Sequence, residues 1–193
     1  MHHLRSRCRA FVLAALLACA AAAPARAGDG STFTIGSGFG VSILMPEDGE
    51  NVTMFSAPQS GTLIATGPGL RLGTVTADRG IEVGLDTSVW VISSNGSSAH
   101  TLVLGVDFEK HFPNGGATGP FIGVDGGFAS MNLFEDTGAQ GYLGGALGVR
   151  HVVGGDNGSM KVALRGRHFF ETMDASPYNV LELAVAFDLW MPQ

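Results

Sequence analysis

The segment Val180–Trp190 alternates between large apolar residues and small or acidic ones. One parity carries Leu181, Leu183, Val185, Phe187 and Leu189, and the other carries two carboxylates and two alanines. Successive side chains of a β-strand point to opposite faces, so this period predicts a strand with one apolar face. The run alone does not distinguish a strand packed on a soluble core from one that faces lipid.

Eight segments of the chain share this two-residue period, and no segment has the period of an amphipathic helix. They lie near residues 32–43, 68–76, 80–92, 100–110, 120–133, 141–153, 160–170 and 180–190. About ten residues is the length that a tilted strand needs to cross a bilayer, and only a closed barrel leaves no unpaired edge there. The pattern therefore predicts an all-β protein, an eight-stranded antiparallel up-and-down transmembrane β-barrel.

The second face of these segments is rich in glycine, alanine and charge, which suits the narrow interior of an eight-stranded barrel. A soluble ligand-binding barrel would have the opposite arrangement, with an apolar cavity and a charged exterior. The charged positions on the predicted inner face are five basic and seven acidic residues: Arg71, Glu82, Asp86, Asp107, Glu109, Asp125, Arg150, Lys161, Arg165, Arg167, Glu182 and Asp188. We expect them to form a salt-bridged plug rather than the lining of a channel.

Short turn signals at 77–80, 112–119 and 154–158 predict the periplasmic end of the barrel. The connections near 44–67, 93–99, 134–140 and 171–179 would then lie outside the cell. Counting outward from a loop centred near 175 places Arg167 level with about 183 and Arg165 level with about 185. We therefore expect Glu182 to pair with Arg167, or with Arg165.

The N-terminal residues have the pattern of an export signal. Three arginines precede an apolar stretch, and Ala25 and Ala27 form a small-x-small cleavage site, so the mature chain is predicted to start at Gly28. The domain organisation is then a signal peptide over 1–27 and one barrel domain over 28–193. A lipoprotein processing site that leaves an acylated Cys19 is the competing interpretation.

Composition restricts the partners and the redox chemistry of the mature protein. Both cysteines lie in the predicted leader, which excludes disulfides and cysteine-ligated metals. Removal of the leader's four arginines leaves seven basic residues against 17 acidic ones, a balance that argues against a nucleic-acid partner. No cofactor-binding or metal-binding motif is present, and the glycine-rich run at 36–40 lies inside a strand with no helix after it.

The segment Gly119–Phe128 (GPFIGVDGGF), the predicted leader and the final AVAFDLW strand resemble the small outer-membrane β-barrel family, the OmpA/OmpX-like barrels of Gram-negative bacteria. The resemblance implies an outer-membrane location, contact with membrane lipid and lipopolysaccharide, and insertion by the barrel-assembly machinery. The family usually ends on an aromatic residue, whereas this chain continues past Trp190 to Gln193. The resemblance indicates no external ligand, and the role that it implies for this chain is structural or surface-interactive.

Two other functions stay open at the level of sequence. Some barrels of this family are lipid A deacylases with a His-x-Ser-Asn motif, but the matching place here reads Arg167-His-Phe-Phe-Glu171, so Phe170 stands where the serine would be. A serine hydrolase needs that hydroxyl, which makes an enzyme the less favoured hypothesis. A soluble periplasmic barrel that binds a small apolar ligand is the third.

Overall fold

The computed structural model describes residues 31–191, apart from 48–49, 57–68, 95–96, 113–114, 134–135, 156 and 173–175. The predicted leader, its cleavage site and Cys19 lie outside the described residues. Within the described residues no helix is long and apolar enough to cross a membrane.

The described residues form nine β-strands. In chain order these are β1 Thr32–Pro46, β2 Val52–Ser56, β3 Leu70–Val75, β4 Ile81–Ser94, β5 Ser97–His111, β6 Thr118–Leu133, β7 Asp136–Val153, β8 Gly158–Phe169 and β9 Tyr178–Met191. From β3 to β9 each strand pairs antiparallel with its successor, and β1 pairs with β3 on one side and with β9 on the other. The closed, eight-stranded antiparallel barrel predicted from the sequence is confirmed.

Strand β2 was not predicted, because it falls inside the segment 44–67 that the sequence analysis assigned to a loop. It lies on the same edge of β1 as β3, with Gly40 opposite Ser56 and Ser37 opposite Leu70. The barrel position next to β1 is thus shared by two short strands that run in the same direction. Its sequence, VTMFS, places two apolar residues, Met54 and Phe55, next to each other, so the alternation that marks the other strands is broken there and did not reveal this one.

Several strands are longer than the apolar alternation predicted, and the expected loops 93–99 and 134–140 are correspondingly shorter. β4 continues to Ser94 and β5 begins at Ser97, while β7 begins at Asp136 opposite Leu133. The apolar pattern stops where side chains no longer face lipid, but the backbone ladder does not depend on apolar side chains. Hydrogen-bonded pairing therefore extends beyond the apolar band.

The two faces of the barrel differ sharply in chemistry. Outward side chains are large and apolar, and Leu143 and Leu189 leave 61% and 64% of their surface exposed. The inward parity holds the buried charges and the glycines. A Cβ at inward-facing Gly84 would lie only 2.7 Å from Nε of Arg71, so glycine here makes room for a charged side chain. This is the reverse of a soluble barrel that binds an apolar ligand.

Candidate functional site

The lumen holds the charges that the sequence placed on the inner face. Eleven of the twelve are buried, and Arg165 is half-buried. The buried ones are Arg71, Glu82, Asp86, Asp107, Glu109, Asp125, Arg150, Lys161, Arg167, Glu182 and Asp188. The strand period brings them together because every second residue of each strand points into the same narrow interior.

Glu82 is at the centre of the larger charge cluster. Its carboxylate accepts hydrogen bonds from Arg71 and from Lys161, the latter at 3.0 Å. The Lys161 ammonium also lies 2.6 Å from Glu109 and 3.0 Å from Asp188, so one cation contacts three carboxylates. Arg71 donates in addition to both carboxylate oxygens of Asp107. Each of these buried carboxylates thus contacts at least one cation, as burial of charge requires.

A second cluster contains a pairing that differs from the expected one. Within the described part of the chain, Arg167 makes no hydrogen bond to Glu182. Its Nε donates to Oδ2 of Asp125 at 2.5 Å, over Gly144 of the intervening strand β7. In the β8–β9 register Arg165 stands directly opposite Glu182, and Arg167 stands opposite Val180, so the predicted register was wrong by three residues. The centre of the β8–β9 connection is therefore closer to the start of the loop than residue 175, and each residue of β8 has a different partner on β9 from the predicted one.

Glu182 makes no hydrogen bond to any of the residues that the structure describes, although it is only 1% exposed. Its carboxylate lies over Gly40, where an added Cβ would come within 2.6 Å of Oε1. Nε and Nη1 of Arg165 are also buried without a hydrogen-bond acceptor in the described part of the chain. The two residues are cross-strand neighbours without forming a hydrogen-bonded pair.

His111 is a luminal residue that the sequence analysis missed. Its Nε2 lies 3.3 Å from Oε2 of Glu82 and 3.2 Å from Oε2 of Glu109, and the side chain is 2% exposed. The signal was available, because His111 continues the inward parity of Asp107 and Glu109. The predicted strand ended at residue 110, one position too early.

The geometry around His111 resembles a metal site, since ligand atoms of Glu82, Glu109 and His111 all lie within 4.8 Å of one another. The same two carboxylate oxygens, however, contact the Lys161 ammonium at 3.0 and 2.6 Å. A divalent cation would have to displace this lysine and sit beside Arg71. The residues therefore fit an internal ion pair better than a metal centre.

One end of the lumen is closed by apolar side chains. The Phe169 ring stacks on Tyr178 at 4.4 Å and packs against Tyr142 at 5.2 Å, in a cluster that also contains Leu44 and Val180. Gln140 anchors the β8–β9 connection beside this cluster by donating to the carbonyl oxygens of Phe170 and Ser176 at 3.2 and 2.9 Å. This end carries the connections that follow β1, β4, β6 and β8, of which the one after β8 is the longest.

The opposite end, which carries the short turns, is called the turn-side mouth. Trp190 points into the lumen there, with the guanidinium carbons of Arg79 and Arg150 at 4.8 and 5.6 Å from its ring centroid. In the adjoining 76–80 turn, hydrogen bonds from the Thr76 hydroxyl and the Gly80 amide lower the pKa of the exposed Asp78 carboxyl. The last aromatic residue of the chain thus closes the lumen instead of facing lipid.

The cluster between the two ends leaves little open space. A cavity of about 20 Å³ lies among Arg71, Lys161 and Arg165, with Asp86 and Asp188 also in its wall. A water molecule needs roughly 10–15 Å³ of such volume, so the cavity has room for a water molecule but not for a small organic ligand.

The place that corresponds to the deacylase motif has Phe170 where the nucleophilic serine would be. His168 is exposed on the outward parity, its Nδ1 lies 2.9 Å from the Asn179 side-chain oxygen, and its ring meets Phe170 edge-on at 5.0 Å. The residues that touch this imidazole are an amide and a phenyl ring. They support an interfacial histidine rather than a general base.

Comparison with known proteins agrees with this architecture. No protein-family model and no curated protein matches the chain. Among solved structures, Neisserial surface protein A (NspA) superposes with a TM-score of 0.58 at 14% identity, over 83% of this chain and 98% of that one. The chain has the fold of the small eight-stranded outer-membrane β-barrels.

Two further structures of this kind match over similar lengths. The N-terminal β-barrel domain of Pseudomonas aeruginosa OprF gives a TM-score of 0.43 at 17% identity, over 82% of this chain and 97% of that one. The outer membrane protein AlkL gives 0.45 at 14% identity, over 86% and 93%. The superposition on NspA confirms, at the level of fold, the resemblance to OmpA/OmpX-like barrels predicted from the sequence.

Proposed function

We propose that this chain is an exported, integral outer-membrane protein with a closed lumen, whose role is structural or surface-interactive. The observation that carries the proposal is the separation of chemistry between the two faces. A band of exposed leucine, valine and phenylalanine surrounds the barrel, while the inward parity holds buried charges, most of them in ion pairs. The first face suits hydrocarbon, and the second suits a filled interior.

The orientation follows from the connections. The turns at 76–80 and 154–157 and the C-terminal end of β9 share one end of the barrel, which by the usual arrangement of bacterial barrels faces the periplasm. The opposite end would contact lipopolysaccharide and any external partner, and insertion would depend on the barrel-assembly machinery. The proposed role requires no cofactor.

Two measurements test the location and the export. Fractionation of expressing cells should place the protein in the outer membrane, in a form that changes its gel mobility on heating. Intact mass of that protein should correspond to residues 28–193, because Ala25 and Ala27 fit the cleavage site. Recovery in the soluble periplasm would refute the membrane assignment. A mass that begins at an acylated Cys19 would show lipoprotein processing instead of cleavage before Gly28.

The closed lumen is tested by electrical recording. The purified protein in planar lipid bilayers should give no steady ion conductance, since the cavity among the luminal charges has room only for water. A porin reconstituted in the same lipid serves as the positive control. Stable conductance steps from the wild-type protein would show that the inward charges line a channel.

A further inference from the structure

The turn between β3 and β4 folds inward over the turn-side mouth. Its tip, Ala77 and Asp78, is exposed, whereas Arg79 is half-buried and Gly80 is buried. The backbone carbonyl oxygen of Arg79 accepts a hydrogen bond from Nη2 of Arg150 at 2.8 Å. Arg150 belongs to β7, which β5 and β6 separate from β4 in the wall of the barrel. The bond therefore joins the turn to a distant part of the wall, over the end of the lumen.

The backbone of this turn has an unusual conformation at Arg79. Among the described residues it is the one non-glycine residue with a positive φ, at 56°. A side chain disfavours this left-handed region, so such a residue persists only where its surroundings hold it. Besides the hydrogen bonds within the turn, two contacts do so: the bond from Arg150, and the Trp190 ring, whose centroid lies 4.8 Å from the Arg79 guanidinium carbon.

Arg150 links the turn to the charge cluster. Its guanidinium carbon lies 5.6 Å from the centroid of the Trp190 ring, and its Nη1 lies 3.9 Å from Oε2 of Glu82. One arginine thus contacts the turn, the indole and the central carboxylate of the cluster. Glu82, Trp190 and Arg150 are only 0%, 5% and 6% exposed, so the turn and the indole keep water from the ion pairs at this end.

We propose that residues 76–80 are a strap that closes the turn-side mouth, and that contacts among Arg79, Trp190 and Arg150 form the latch that holds it shut. Release of the latch gives water and small solutes access to the luminal ion pairs. Opening the strap breaks these few contacts and leaves the strand ladders intact, so it needs less free energy than unfolding of the barrel. The strap acts at the turn side whichever compartment that end faces.

Single cysteines can report access from each end, because residues 28–193 contain none. Ser159 is 1% exposed, and its hydroxyl donates to Asp188 at 3.3 Å near the start of β8, below the turn-side mouth. Ser42 is 0% exposed and lies opposite Glu182, nearer the other end of the lumen. The measurement is the rate at which a water-soluble methanethiosulfonate modifies Ser159→Cys or Ser42→Cys in folded, detergent-solubilised protein.

The test variant is Arg79→Gly. Glycine suits a left-handed backbone, so the turn keeps its shape while the guanidinium of the latch is lost. The modification rate of Ser159→Cys should rise by about tenfold, since a cation–π contact that favours the closed strap is removed, and that of Ser42→Cys should not change. Trp190→Leu removes the ring from the other side of the same contact and should give a rise of similar size at residue 159.

Lys110→Gln is the matched control for charge. It removes a positive charge beside the same turn, but Lys110 has the outward parity and is no part of the latch, so the rate at residue 159 should stay that of the wild-type background. Heat-modified gel mobility verifies the folding of each variant. An unchanged rate at residue 159 in Arg79→Gly, an equal rise at residue 42, or an equal rise in Lys110→Gln would overturn the proposal.

Discussion

The ion pair between Asp125 and Arg167 offers the sharpest test of the luminal architecture. Both side chains are nearly inaccessible, at 4% and 5% exposure, and the guanidinium also lies 5.2 Å from the Tyr142 ring centroid. Asp125→Asn keeps the size of the side chain but removes the charge of the carboxylate to which Arg167 donates. Removal of one member of a buried pair costs about 3–5 kcal/mol.

Coulomb's law gives a similar magnitude for this ion pair. Two unit charges about 4 Å apart interact by about 4 kcal/mol at an effective dielectric constant near 20. Arg167→Met should destabilise by a similar amount, because it leaves the carboxylate unpaired. The double variant removes both charges, so it should recover much of the loss, with a coupling energy of roughly 2 kcal/mol or more.

The assay is equilibrium unfolding in urea of protein folded into lipid vesicles, followed by tryptophan emission. Glu182→Gln is the control, because it also removes a buried luminal carboxylate but one that accepts no hydrogen bond from the described residues. It should cost less than Asp125→Asn. An additive double variant, or an equal loss in the control, would show that total luminal charge matters and that the specific contact does not.

Three further predictions concern the outer face, the packing of the lumen and the turn. Leu147→Lys, at an exposed position within the lipid-facing band, should lower the free energy of unfolding by roughly 2–4 kcal/mol in the same assay, whereas Val153→Lys, at the end of that strand, should lower it by about 0–1 kcal/mol. Equal losses would refute the assigned bilayer depth. Gly148→Ala should destabilise by about 1–3 kcal/mol, because its Cβ would lie 2.2 Å from the backbone oxygen of Val162 and 2.8 Å from the buried Phe121 ring. Gly166→Ala, whose Cβ would meet nothing within 4 Å, should not destabilise, and similar values would contradict the inward and outward assignment. Hydrogen bonds lower the pKa of Asp78, so its ionised carboxylate stabilises the turn above the ordinary carboxyl pKa, and this contribution is lost as the pH falls through the lowered pKa. NMR titration should show the lowered pKa, and Asp78→Asn should remove this part of the pH dependence of stability.

Much of the barrel could be predicted from alternation alone. Parity assigned all twelve charged residues to the inner face, and it assigned leucines such as Leu183 and Leu189 to the outer one, because a strand fixes the side on which each residue lies. The same reasoning missed His111 because the predicted strand stopped too early. It missed β2 because apolar and polar residues do not alternate in VTMFS.

The partners of those charges were decided only by the tertiary structure. Lys161 and Glu82 are 79 residues apart in sequence and meet across the lumen. Arg167 and Asp125 are 42 residues apart and meet over Gly144 of the intervening strand β7. These meetings depend on the register of each strand pair and on the stagger with which the barrel closes, neither of which is encoded in a two-residue period. An error of three residues in the β8–β9 register was enough to give Arg167 the wrong hydrogen-bond acceptor. The sequence by itself determined which face each charge occupies, and strand register together with closure of the barrel determined which charge it meets.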